Sequence, residues 1–180
     1  GRILNKCADD AAREGIGLGE AVGRVLNEKN PRHISVSVFG NAYRNEIPLT
    51  VHAAIGTDIV HMHPEADGAS WGAATFSDFS KFCDIVADME EGVYLNLGSA
   101  VILPEVFLKA VTRARNAGKK LRRITTIDID FVRQYRPLTN VVRRPTSEGG
   151  RGISLTGHHE LIVPILAAAV VEELSGGFLE

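Results

Sequence analysis

The sequence predicts an α/β fold, a mostly parallel sheet with helices on both faces. Two observations lead there. The chain is 44% hydrophobic but only 6% aromatic, and that supply of Ala, Val, Ile and Leu suits helices packed on a sheet. Short β-branched runs also alternate with segments of helical period, the pattern of parallel strands joined by helical crossovers. At 180 residues the chain reads as a single domain, residues 1–180, large enough to bury a substantial core.

The first thirty residues predict two helical pieces. Leu18, Val22, Val25 and Leu26 form one stripe, Gly15, Gly17 and Gly19 interrupt the run, and Asn30-Pro31 ends it. ISVSVFG reads as a strand by strict alternation and PLTVHAA as a second. Thr75 to Met89 is an amphipathic helix with Phe79, Phe82, Ile85 and Val86 inward, capped by Thr75 or Ser77 and closed by Gly92. VYLNLG is a strand, followed by a helix starting near Pro104 and C-capped at Gly118. ITTIDID and GISLTG are two further strands, and HHELIVPILAAAVVEEL is the closing helix. Residues 133–152 carry Pro137, Pro145, Gly149 and Gly150 with few apolar residues, and read as a long loop or lid.

Charge is unevenly spread. Residues 52–91 hold eight carboxylates against one lysine, whereas residues 109–151 hold twelve Lys or Arg against Asp128, Asp130 and Glu148. The basic stretch lacks interleaved aromatics and any nucleic-acid motif, so the reading is no nucleic acid, and Arg143 and Arg144 become candidates for an anionic substrate. The most apolar run, 161–171, contains Pro164 and is too short to span a bilayer. Cys7 and Cys83 form no disulfide framework. A cytoplasmic protein without membrane contact is the expectation.

Three constellations could carry chemistry. His52, Asp58, His61 and His63 lie within twelve positions. On an extended chain His61 and His63 share a face, which suits either two metal ligands or a polar pocket. Imidazoles titrate near neutrality, so both are candidate proton-transfer groups. Gly98 and Ser99 fall between a strand and a helix, where a ligand can approach the backbone and an anion meets free N–H groups. Asp128 and Asp130 end a strand, a position from which acids accept hydrogen bonds from ribose hydroxyls. Glu105 at a helix start is a further proton-transfer candidate, and His52 and His158 are candidate substrate contacts. P-loop, G-x-S-x-G and G-x-G-x-x-G signatures in a strand-turn-helix setting are absent.

Taken in order, SVSVFGNAYRNEIPLTV, TDIVHMH, GVYLNLGSAVILPEVFLKA, ITTIDIDF and LTGHHELIVPILAAAVVE resemble successive segments of the deoxyhypusine synthase family, and most closely its bacterial deoxyhypusine-synthase-like branch. The resemblance implies a Rossmann-like NAD-binding fold, the C-terminal portion of a longer chain, and homotetramers with sites near interfaces. It places Asp58 and His63 on family positions and ITTIDIDF on a strand that contacts NAD, so Asp58, Gly98, Ser99, Asp128 and Asp130 are the expected cofactor contacts. The family's imine-forming lysine falls at Leu103, beside Pro104 and Glu105, and Lys109 lies nearly two helical turns further on. Without that amine no enzyme imine forms there. After Arg136-Pro137 the chain has Leu138, Thr139 and Asn140, then Arg143 and Arg144, which would repel a cationic substrate. The expectation is therefore an NAD- or nucleotide-binding enzyme doing transferase or redox chemistry on a small anionic substrate, not deoxyhypusine synthesis. The alternatives are a metal-dependent hydrolase built on residues 52–63 and a non-catalytic nucleotide-binding assembly protein.

Overall fold

Glycine and asparagine punctuate the first helices as their sequence suggests. In the computed structural model, which describes residues 1–176, α1 (Arg2–Glu14) stops at Gly15 in the left-handed conformation, φ 70°. The second helix, α2 (Leu18–Lys29), stops at Asn30, also left-handed, just before Pro31. The chain divides into two compact units, Gly1–Asp88 and Met89 onward.

The first unit is helical. Cys7, Ala8 and Ala11 of α1, Leu18, Ala21 and Val22 of α2, and Trp71 and Ala74 of α4 (Gly68–Ala87) form its core. Alanine at these contacts lets the helix axes approach closely. Trp71 Nε1 donates to Asn5 Oδ1 at 2.7 Å, so the buried indole leaves no polar atom unpaired.

Neither strand expected in this half forms. Residues 34–44 make a 3-10 turn, Ile34–Val36, and a short helix, α3 (Val38–Arg44). Ser37 interrupts the alternation because its side chain accepts the Gly40 N–H and caps α3. PLTVHAA is irregular, and side chains of α4 take the place of a neighbouring strand. Asp78 Oδ2 accepts the Val51 N–H at 2.9 Å, while Thr75 Oγ1 accepts from Ala53 N–H and donates to the Val51 carbonyl. Thr75 is thus a tether inside α4, not its cap. The cap is Asp67, whose side chain accepts the Ser70 N–H at 2.7 Å and starts the helix seven residues earlier than its apolar stripe implies.

The second unit holds the sheet. The strands β1 (Val93–Leu97), β2 (Thr125–Asp130) and β3 (Arg151–Thr156) lie in the order 1-2-3, all parallel. Between β1 and β2 runs α5 (Ile102–Asn116), and Gly118 follows its end at φ 87°. The expected lid at 133–152 is instead a helical crossover, with a turn at Tyr135–Pro137, α6, running into a π-helical segment, Leu138–Arg143. Pro137, Asn140, Val141 and Pro145 are buried there, and Thr126 Oγ1 donates to the Val141 carbonyl at 2.7 Å. Prolines and arginines disguised a segment that buries Pro137, Val141 and Pro145 while Tyr135 stays exposed.

Both crossovers cover one face. The Phe107 ring of α5 stacks on Tyr94 with centroids 3.7 Å apart, and Tyr94 is the register partner of Thr126. In a sheet ordered 1-2-3, two right-handed crossovers must share a side. On the opposite face Val93, Leu95, Leu97 and Leu155 stay exposed. The closing helix, α7 (His159–Leu174), buries none of its residues. The described residues thus show an α/β unit with a three-stranded parallel sheet and helices.

Candidate functional site

The sequence candidates fall into two groups, one in each unit. In the first, His52 and Asp58 line an apolar cavity of about 360 Å³ with Leu4, Leu18, Val22, Phe39, Val51 and Trp71 among its walls. His52 Nε2 lies 3.1 Å from Thr50 Oγ1, its ring stands edge-on to Phe82, and burial holds the imidazole below its ordinary pKa.

His61 and His63 do not share the face of a strand. They sit in and after a 3-10 turn, Ile59–Met62. His61 Nδ1 accepts the Gly56 N–H at 3.2 Å, which puts its proton on Nε2, buried against Trp71 and without an acceptor. His63 Nδ1 accepts the Glu65 N–H, also at 3.2 Å. Each imidazole thus spends its basic nitrogen on the backbone. Among the described residues no three His, Cys, Asp or Glu side chains come together as metal ligands.

In the second unit the candidates meet at the C-terminal ends of the strands, where ligands of open α/β sheets sit. Gly98 leaves β1 at φ 71°, and its N–H donates to the Ile129 carbonyl. A Cβ there would lie 2.9 Å from Cε1 of His159, whose Nε2 is 2.8 Å from the same carbonyl. Only glycine combines that backbone with that approach. Asp128 and Asp130 are buried on β2. Asn96 Nδ2 donates to Asp128 Oδ1 at 2.8 Å and to the Ser99 carbonyl at 2.9 Å. Asp130 Oδ1 accepts the Phe131 N–H at 2.7 Å. His158 is exposed, its ring nearly parallel to Phe131 with centroids 6.4 Å apart.

Burial pushes the Asp128 carboxyl above the usual range, the Asn96 N–H pulls it back, and the charge of Asp130 adds to the rise. The start of α5 is less open to an anion than Gly98-Ser99 suggests. Ser99 Oγ accepts the Leu103 N–H at 3.2 Å, and Pro104 has no N–H to offer.

Glu105 occupies the first turn of α5 inside a brace. Oε1 accepts from Asn140 Nδ2 at 2.7 Å and lies 3.7 Å from Arg136, and Oε2 lies 3.2 Å from Lys109. Lys109, the lysine that follows Leu103 on α5, is therefore paired with Glu105. Arg143 and Arg144 are exposed at the end of the π-helical segment, which by then has run back from the C-terminal end of β2 toward the start of β3. They are not grouped with the strand-end acids.

Sequence reasoning assigned no role to Asn96 or Asn140 and did not place His159 at the strand ends. Asn96 had a visible signal, an amide at an inward position of an otherwise apolar strand. No protein-family model, curated protein or solved structure matches the chain.

Proposed function

We propose that the second unit binds NAD or a related nucleotide at the C-terminal ends of its strands. The chain would then be a deoxyhypusine-synthase-like protein, Rossmann-like in fold, whose redox or transferase chemistry acts on a small anionic substrate. The observation that supports this most is the convergence of Asp128, Asp130, Gly98 and Ser99 at one edge of a parallel sheet. The residues fit the hydroxyl-rich part of such a cofactor best. Asp128 and Asp130 supply acceptors for ribose hydroxyls, and Gly98 lets a ligand approach the backbone. When bound, the nicotinamide would supply hydride acceptance. The chain's own residues would orient the ribose and exclude water around it.

Leu103 stands where an imine lysine would be needed and Lys109 is paired with Glu105, so no covalent amine chemistry is assigned. The same pairing favours a second reading, a nucleotide-binding assembly protein without turnover. The uncovered apolar positions, Val93, Leu95 and Leu97 on the sheet and Leu161, Ile165 and Val171 on α7, support association of several copies, the tetramer that the resemblance implies.

Calorimetric titration with NAD tests the binding. One saturable site is expected, weakened about tenfold to a hundredfold by Asp128→Asn, because a hydrogen bond to a charged group contributes about 1.5–3 kcal/mol. No heat at millimolar NAD would sink the reading. A product screen on the bound protein then separates enzyme from assembly protein.

A further inference from the structure

We propose that Asn96 is a positioning residue for this site, its amide fixing the Asp128 carboxylate and the Ser99 turn together at the end of the sheet. The inference rests on the nucleotide reading for its purpose but on independent geometry for its content. Asn96 and Asp128 are register partners on β1 and β2, both 1% exposed. The two Nδ2 hydrogens of Asn96 are divided, one to Asp128 Oδ1 at 2.8 Å and one to the Ser99 carbonyl at 2.9 Å. A single side chain thus ties the acid that would hold a ribose to the turn that would face the rest of the ligand.

The arrangement has a cost. Asn96 Oδ1 is buried without a hydrogen-bond partner, at a position where a parallel strand would ordinarily carry an aliphatic residue. A residue chosen for stability alone would avoid that orphan. Two good hydrogen bonds to functional groups give a reason to keep it. Around Asp128, β1 contributes Asn96 and Tyr94, β2 contributes Asp130, and β3 contributes Ser154 as register partner. On the covered face Phe107 of α5 stacks on Tyr94. Asn96 donates a hydrogen bond to the carboxylate from the neighbouring strand.

Asn96→Val keeps strand propensity and shape while removing the donor, and Asn96→Ser keeps a shorter one if the valine variant fails to fold. Two readouts apply to each. The first is the Asp128 carboxyl titration followed by carbon NMR, and the second is the pH dependence of NAD affinity. Loss of the donor should raise the Asp128 midpoint by about one pH unit, since a charge-assisted bond contributes about 1.5–3 kcal/mol. NAD affinity at mildly acid pH should fall about tenfold and recover as pH rises, because the ionised carboxylate is the acceptor. An unchanged Asp128 midpoint, or an affinity loss equal at every pH, would overturn the proposal and leave Asn96 a structural brace. If the wild-type chain binds no NAD, the nucleotide reading fails while the carboxyl titration still decides the role of Asn96.

Discussion

Asp78→Ala lowers the stability of the first unit by about 2–4 kcal/mol, followed by the fluorescence of Trp71 in a urea titration. Trp71 is the chain's single tryptophan and is 4% exposed in the core of that unit, so its emission reports unfolding there. Asp78 is fully buried, and its Oδ2 accepts two backbone N–H groups, from Gly19 at 3.0 Å and Val51 at 2.9 Å. One carboxylate of α4 thereby caps the first turn of α2 and pins the irregular segment 47–55. Removing it orphans both donors, at about 1–3 kcal/mol each, and relief of a buried charge offsets part of the loss. Replacement by another acceptor should cost less. Asp78→Asn keeps an oxygen for the two donors, but its amide must sit beside Gly17, where a Cβ would already lie 1.8 Å from Asp78 Oδ1.

The same residue sets a pH dependence. Burial raises the Asp78 carboxyl above its ordinary value of 3.8, against the lowering effect of the Val51 and Gly19 donors. A group whose folded pKa is raised binds its proton more tightly in the native state than in the unfolded chain. Its contribution to stability is therefore largest at low pH and is lost as pH rises from the unfolded value through the raised folded one. Urea midpoints of wild type and Asp78→Asn should differ in slope across that window, with the variant flatter. Parallel profiles would show that Asp78 carries no proton linkage.

Phe107→Ala is the largest expected loss in the second unit, about 3–5 kcal/mol, the usual cost of truncating a buried phenylalanine. Phe107 is fully buried on α5, and its ring lies flat on Tyr94 at 3.7 Å, interplanar angle 1°. The truncation removes a stacked contact between the first crossover and the sheet and leaves a cavity beneath Tyr94. Hydrogen exchange of the β1 and β2 amides is the readout, and protection should fall together across both strands. Loss confined to α5 would mean that the sheet does not depend on this contact.

The second half of the chain was legible in sequence because its strands are apolar runs bounded by Gly, Asn and charge. VYLNLG, ITTIDID and GISLTG all became parallel strands. The first half misled because side-chain hydrogen bonds replace the strand pairing that its apolar runs suggest. ISVSVFG alternates, but Ser37 caps a helix, and PLTVHAA is an apolar run whose backbone is held by α4 side chains instead of a neighbouring strand. At residues 133–152, Pro137 and Pro145 advertised a loop, although both are buried in a crossover.

The candidate site divides along the same line. Gly98, Ser99, Asp128 and Asp130 could be read because strand ends can be read. The imidazoles of His61 and His63 could not, because backbone N–H groups decide which nitrogen remains basic. Nor does sequence tell which of two adjacent histidines turns inward. His159 reaches the Ile129 carbonyl, whereas His158 stays exposed.

The most direct test of the central claim is amide chemical-shift mapping of the isotopically labelled chain during an NAD titration. Saturable shifts are expected to concentrate at residues 96–99, 128–131 and 157–159, the C-terminal ends of the three strands. Shifts that cluster instead at residues 52–63 of the first unit, or none at millimolar NAD, would contradict it.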